Sequence, residues 1–484
     1  MFIKKIFYKQ KFYLILISLF FFALLAFYSF VSEGCEGGMD SYNHYLISKY
    51  TWKYPHLLLD QWGKPLYNLI ASPFANIGFI GVKLFNILLW IGSAWLTWLT
   101  SRKLNLKYSW IAFLIVLLPQ VSYQNTISGL TEYLNEFLLI SFVYFIAIKK
   151  WNIGAAIAGL LPFARSEGFV IMAATAFYLV FIVKEYKSLL WFVAGSVFFS
   201  LLGLIIYGDI LWIFTNNPYI IAQAKGMNLC GNGSLFHYVK LSRFIFSIAG
   251  VILLVAGSVI SFILLFKGNK NDKFRNNFIF WLCCGIFWLF FAVHSIIWWK
   301  GIMGSCGYTR VMIVITPLAA LIGNYSISYL TETFSKLKYH IIVFTIVLML
   351  ISISHLYQFS KKNLPYTLSD EQKEFVKVAD WLKTYDYKGR MIYFLYPYLN
   401  ILANIDPYDK KHFEFLWSFD FKYSPLGSLI IWDAHFGPNE CKIPLEKLMN
   451  NSDFELIKSF KPEKPFKTLN EYPFEIYIFK RVKI

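Results

Sequence analysis

The sequence predicts a polytopic α-helical membrane protein of about eleven transmembrane helices, followed by a small C-terminal α/β domain. Three observations predict it. Of 484 residues, 57% are hydrophobic, 20% aromatic and only 15% charged, with a mean hydropathy of +0.51. A soluble chain carries roughly a quarter charged residues, so this one cannot cover its surface with ions. The apolar residues come in blocks of about 18 to 25, the length that crosses a hydrocarbon core as helix, and lack the two-residue alternation of barrel strands. From about Lys361 the composition turns ordinary: 19 Lys and Arg stand against 17 Asp and Glu, so nearly all of the +18 net charge lies upstream. Residues 1–360 are therefore read as the membrane domain, with a first outer loop at 32–79, and 361–484 as an extracytoplasmic domain.

The first block, Phe12 to Val31, follows Lys4, Lys5, Lys9 and Lys11. It has the length of a full span and no small-x-small cleavage site after it, so it reads as an uncleaved span with a cytoplasmic N-terminus. Ten further blocks lie near 80–100, 108–124, 132–148, 152–164, 168–183, 188–207, 241–266, 277–298, 311–329 and 340–358. Alternate counting puts every compact basic cluster on the cytoplasmic side, as the positive-inside rule requires. These are Arg102, Lys103 and Lys107; Lys149 and Lys150; Lys184 and Lys187; Lys267, Lys270, Lys273 and Arg275; and Lys336 and Lys338. Bases grouped at span ends, with no long basic run, mark topology and not nucleic-acid binding. The segments 152–164 and 168–183 are short and read either as two crossings or as a re-entrant pair; the parity is the same. An odd count places 32–79, 208–240, 299–310 and the C-terminal domain outside.

Cys35, Cys230, Cys306 and Cys441 fall on that outer side, where disulfides form, and an outer bridge or four thiols both fit. Cys283 and Cys284 lie within a span. There is no C-x-x-C, no His/Cys cluster at zinc spacing and no nucleotide loop. His56 and His294 stand alone, so the residues assign neither metal nor cofactor. In the C-terminal domain, Ser369 is placed to cap a helix running through Leu382. Met391 to Leu395, Ser428 to Trp432, Phe454 to Phe460 and Phe474 to Arg481 read as strands, with a helix from Pro444 to Met449. Asp433, at a strand's C-terminal end, is either a ligand group or a turn residue before Gly437-Pro438.

The outer segments hold the candidate functional residues. From Asp40 the chain reads as an amphipathic helix with Tyr42, Tyr45, Leu46 and Tyr50 on a face suited to the membrane interface. Asp40 is then a helix cap or a working carboxylate, and His44 its partner or an exposed surface histidine. Lys64 precedes Pro65, which is placed at a first helical turn. Glu132 ends a span on the outer side, Arg165 and Glu167 sit between the two short segments, and Arg310 begins a late span. Ionisable residues at membrane depth are costly and are usually functional or paired. The 208–240 loop has turn chemistry and reads as a mobile lid, and Trp298 and Trp299 read as interfacial anchors.

A carboxylate can deprotonate an acceptor hydroxyl, and arginines bind phosphate bidentately. Glycosyl transfer from a polyprenyl-phosphate sugar uses both. A transporter or flippase for lipid-linked sugars is the alternative, and a polytopic assembly protein a third reading. The gathering of ionisable residues on the outer side favours the enzyme over a path through the spans.

Five motifs in order carry a family resemblance: Gly38-Met39-Asp40-Ser41-Tyr42, Gly63-Lys64-Pro65-Leu66-Tyr67, Ser128-Gly129-Leu130-Thr131-Glu132, Arg165-Ser166-Glu167-Gly168 and Gly304-Ser305-Cys306-Gly307-Tyr308-Thr309-Arg310. On these the chain resembles the GT-C superfamily of membrane glycosyltransferases, and more loosely its branch of protein O-mannosyltransferases and lipid A aminoarabinose transferases. The resemblance implies that Asp40 is the catalytic base of an inverting transfer and that Arg310, with Arg165 and Lys64, binds the donor phosphate. Glu132, Glu167 and His44 would shape the pocket. Partners implied are a polyprenyl-phosphate sugar, membrane lipids and a glycan, lipid or protein acceptor at the outer face of the cytoplasmic (inner) membrane. Many relatives have Asp-Glu where this chain has Asp40-Ser41, and a proline at Ser166. The sugar, the acceptor and a divalent metal ion therefore stay open.

Overall fold

The computed structural model of the protein describes residues 2–218, 230–266, 273–468 and 471–483. Lys267 and Lys270 of one predicted basic cluster, and the middle of the 208–240 loop predicted as a lid, lie outside the described residues. The chain forms two compact units: Met1–Ser32 with Ile47–Pro365, and Glu33–Leu46 with Tyr366–Ile484. The stretch 33–46, which the sequence pattern groups with the membrane part, thus belongs to the second unit.

The first unit is helical, and all eleven predicted apolar segments are helical within it. Among the described residues, seven helices are long and apolar enough to cross a membrane: Gln10–Val31, Phe79–Lys103, Tyr186–Tyr207, Ile248–Phe266, Lys273–Lys300, Thr309–Thr333 and Ser335–Asn363. The chain is a multi-pass membrane protein. The predicted span at 108–124 is instead a pair, Trp110–Leu117 and Gln120–Ser128, bent by 61°. Pro119 stands at the break in an extended conformation; it has no N–H to offer the helix and crowds the preceding turn. Counting that pair as one span gives eight. Trp151–Ala164, Gly168–Ile182 and Glu132–Ala147 are shorter. The last has 16 residues, about 24 Å of helix against a hydrocarbon core of about 30 Å.

Burial sorts these helices. Thr309–Thr333 is 94% buried over its apolar window, whereas Gln10–Val31 and Tyr186–Tyr207 are 22% and 17% buried. The first is the centre of the bundle, and the other two present apolar side chains outward.

In the second unit, Ser369 and Gln372 form a reciprocal capping box that starts helix Asp370–Thr384, which satisfies two backbone donors at once. The sheet comprises β1 (Ile392–Phe394), β2 (Phe413–Phe415), β3 (Leu429–Asp433), β4 (Phe454–Phe460) and β5 (Ile476–Arg481) in the order β2-β1-β3-β5-β4. β1 pairs in parallel with β2 and β3, while β5 runs antiparallel to both β3 and β4. The unexpected strand, β2, is only three residues long, too short to show a period.

Helix Gly38–Tyr50 forms as expected, but its apolar face is not an interfacial one. Tyr42 is 2% exposed; its hydroxyl accepts a 2.8 Å bond from Gln372 Nε2, and its ring lies 4.8 Å from that of Tyr398. The polar tip of Tyr42 finds a protein partner, which permits burial that a lipid surface would not reward. Gly34 allows the chain to enter this packing, since a Cβ there would stand 2.4 Å from the Thr367 carbonyl oxygen. Ser369→Ala removes the cap and should cost about 1 kcal/mol, seen as faster amide hydrogen exchange across 370–384 with little change in the first unit.

Candidate active site

The site is built around Glu132. A left-handed turn at Gly129 (φ +68) brings the chain to Thr131, and Glu132 opens helix Glu132–Ala147. An acid in the first turn suits the helix dipole, yet this one is only 2% exposed and requires compensation. Two arginines supply it. Arg165 Nη1 lies 2.9 Å from Glu132 Oε1 and Arg310 Nε lies 3.4 Å from the same atom.

Each arginine is delivered by local backbone geometry. Arg165 ends the short helix Leu161–Ala164 in an extended conformation, which turns its side chain out of the helical path. Its Nη1 also donates to Thr131 Oγ1 at 2.9 Å, and its Nη2 to Glu167 Oε1 at 2.8 Å. Gly168 closes the turn, because a Cβ would sit 2.3 Å from the Leu161 carbonyl carbon. Arg310 begins the helical turn Thr309–Ile315 with its guanidinium 4.3 Å above the Tyr308 ring. The loop before it is pinned twice: Cys306 is disulfide-bonded to Cys230, and His237 Nε2 lies 2.8 Å from the Gly307 carbonyl oxygen. Gly307 is needed there, since its φ is +65 and a Cβ would come within 2.7 Å of the Trp298 indole. Trp298, expected as an interfacial anchor, packs on this loop; Trp299 is exposed. Cys35, Cys283, Cys284 and Cys441 are thiols.

Lys64 is buried beside the start of helix Pro65–Ile77, with Pro65 in the first turn as expected, and its Nζ lies 3.0 Å from the Gln61 carbonyl oxygen. Asp60 Oδ1 accepts from the Gly63 N–H at 2.6 Å. Burial raises the Asp60 pKa above the usual carboxylate value even against that bond and the Lys64 charge. Burial alone would raise Glu167 too, but the charges of Arg165, His294 and Lys64 outweigh it and hold it at about 2. The structure therefore brings Glu132, Arg165, Glu167, Arg310 and Lys64 into one electrostatic cluster.

Sequence reasoning misses three members of this neighbourhood. In the sequence Asp60 is only part of a loop-to-helix junction. His294, a lone histidine by spacing, is 7% exposed and close enough to Glu167 for their charges to interact. Glu136 is fully buried with neither oxygen hydrogen-bonded among the described residues; its signal is the spacing of Glu132 and Glu136, four residues apart in an apolar helix and hence on one face.

Asp40 and His44 belong to the second unit, and the residues of the arginine cluster to the first. Asp40 is the third residue of helix Gly38–Tyr50, so it is in the first turn and is not the cap. His44 shares its face four residues on and is 5% exposed, which corrects the expectation of an exposed surface histidine. Asp433 is an Asx-turn residue, its Oδ1 accepting from the N–H groups of His435 at 3.0 Å and Phe436 at 2.8 Å. Among the described residues, no group of three or more His, Cys, Asp or Glu side chains converges as a metal site would require.

No protein-family model matches the chain, and neither does any curated protein. Among solved structures it is similar to ArnT from Cupriavidus metallidurans bound to undecaprenyl phosphate, with a TM-score of 0.57 and 8% identity over 96% of this chain and 97% of that one. The same protein in the apo state gives 0.55 and 10% over the same shares. An oligosaccharyltransferase from Archaeoglobus fulgidus, in complex with zinc and sulfate, gives 0.49 and 12% over 79% of this chain and 61% of that one. The fold is that of ArnT along nearly the whole of both chains.

The contacts around Asp433 and Cys306 make stability depend on pH and on reductant. Burial pushes Asp433 up to about 7. Burial alone would lower His435, but its 3.0 Å contact with Glu371 and the nearby negative charges raise it above 6.5. Both folded-state values exceed the unfolded ones, so both groups favour folding in their protonated forms. The Asp433 contribution declines as pH rises from about 4 to 7, and that of His435 is full below 6.5 and lost as pH passes its raised value. Hydrogen exchange in β3, corrected for intrinsic rates, should slow as pH falls from 8 to 5. Cys306→Ser removes a cross-link between residues 76 apart. It should cost about 2–4 kcal/mol, with a reductant lowering the melting temperature of the unsubstituted protein only.

Proposed function

We propose that the chain is a membrane glycosyltransferase that moves a sugar from a polyprenyl-phosphate donor to a hydroxyl group. The observation that carries the reading is the full-length likeness to a structure holding undecaprenyl phosphate, and the cluster of Arg310, Arg165 and Lys64 supports it with the cations that such a phosphate needs. In the reaction, Asp40 takes the proton of the acceptor hydroxyl as the oxygen attacks the anomeric carbon. The bond from that carbon to the phosphate oxygen breaks in the same step, so the configuration inverts, and polyprenyl phosphate leaves with the electron pair. Arg310 and Arg165 meet the charge that develops on the departing phosphate. Glu132 and Glu167 hold the arginines, and His44 supports Asp40 from the same helix face. The second unit serves the acceptor, whose class is a lipid-linked glycan, a polysaccharide or a protein.

The reaction belongs at the outer face of the cytoplasmic membrane. The placement of basic clusters supports this, as does a disulfide between Cys230 and Cys306. Asp40→Asn should lower transfer of labelled sugar from polyprenyl-phosphate donors by about a hundredfold or more, with the fold and donor binding intact. Full activity in that variant would remove Asp40 as the base, and donor binding by the unsubstituted protein without transfer to any acceptor would favour a transporter.

A further inference from the structure

Glu132 meets two arginines through a single oxygen. Its Oε1 lies 2.9 Å from Arg165 Nη1 and 3.4 Å from Arg310 Nε, while its Oε2 is buried with no hydrogen-bond partner among the described residues. One oxygen set between two guanidinium groups is the arrangement that a phosphate oxygen takes up. Among the described residues Glu132 is thus tied to the arginines through Oε1 alone. Charge points the same way. Arg165, Arg310 and Lys64 are the cations of this cluster and Glu132, Glu167 and Asp60 its carboxylates, so a phosphate gains the arginines only when a carboxylate gives them up. While Glu132 stays on the arginines, it competes with that group for the same N–H donors.

We propose that Glu132 is a latch. In the donor-free protein its carboxylate holds Arg165 and Arg310 in the orientation in which they receive a polyprenyl-linked phosphate, and the incoming phosphate displaces it. Glu167 keeps its 2.8 Å bond to Arg165 Nη2 throughout, so Arg165 stays in place when Glu132 moves. Glu136, one turn further along the same face, already stands buried without a hydrogen-bond partner among the described residues, so this face accommodates a carboxyl group released from the arginines. Glu132 is thus a positioning residue. The inference rests on the donor-phosphate role proposed for Arg310.

The test is a binding titration of the full-length protein in lipid nanodiscs with undecaprenyl phosphate as the probe. Glu132→Gln should bind about tenfold more tightly, the effect of one competing charge-assisted bond, whereas Arg310→Gln should bind more weakly. A purely structural Glu132 predicts a loss in both. Unchanged or weaker binding by folded Glu132→Gln, with Arg310→Gln still impaired, overturns the latch and leaves the phosphate reading standing. Unchanged binding in both Arg310→Gln and Arg165→Gln removes that reading and the latch with it. If Glu132→Gln does not fold, Glu132→Asp is read by the same criteria, with a smaller gain expected. Failure of both to fold makes Glu132 a structural strut and overturns the proposal.

Discussion

Burying an ionised carboxylate costs several kcal/mol unless matched charges come with it, and in this chain that constraint organises the end of the helical bundle. Glu132 is fixed at the start of its helix by the turn at Gly129, and the neighbouring segments are shaped around supplying its partners. Arg165 leaves its helix in an extended conformation, Gly168 folds the chain tightly behind it, and Gly307 lets the next loop pass close to Trp298. These are departures from regular helix at places where a plain apolar crossing would need none. Their common effect is to bring guanidinium groups from distant parts of the chain to one oxygen.

The apolar framework is legible because membrane helices are specified by length and hydropathy, quantities that survive without knowing any contact. All the predicted segments are helical, and the sheet of the second unit differs mainly by the short β2. What sequence does not supply is depth. Whether 108–124 is straight depends on Pro119, and the shortness of Glu132–Ala147 depends on where turns consume the chain. At the site, Arg165, Glu167, Glu132 and Arg310 are recognisable as charges at span ends, where the cost of an ionised group makes an incidental one rare. His294 and Asp60 are not, because a single histidine or a loop aspartate has no period or spacing that marks it; only the packed structure shows what surrounds it. Tyr42 is easily misassigned to the membrane interface because an amphipathic face looks the same whether lipid or protein covers it.

The same reasoning accounts for a shared fold at 8% identity. A helix crossing a bilayer accepts any apolar residue of suitable size along most of its length, so the fold tolerates wide substitution. The residues with little freedom are the glycines where backbones nearly touch and the few charges that compensate one another. Those positions occupy a small share of 484 residues, too small to raise overall identity.

The membership of Glu33–Leu46 in the second unit bears on how this protein can be taken apart. The two pieces of this unit, Glu33–Leu46 and Tyr366–Ile484, are separated by about 320 residues of sequence, yet Tyr42 is bonded to Gln372 and Gly34 is fitted to Thr367. A chain cut at Pro365 would strand those side chains without their partners. A chimaera that exchanges the C-terminal domain for another has to carry residues 33–46 with it, as one heritable block in two pieces.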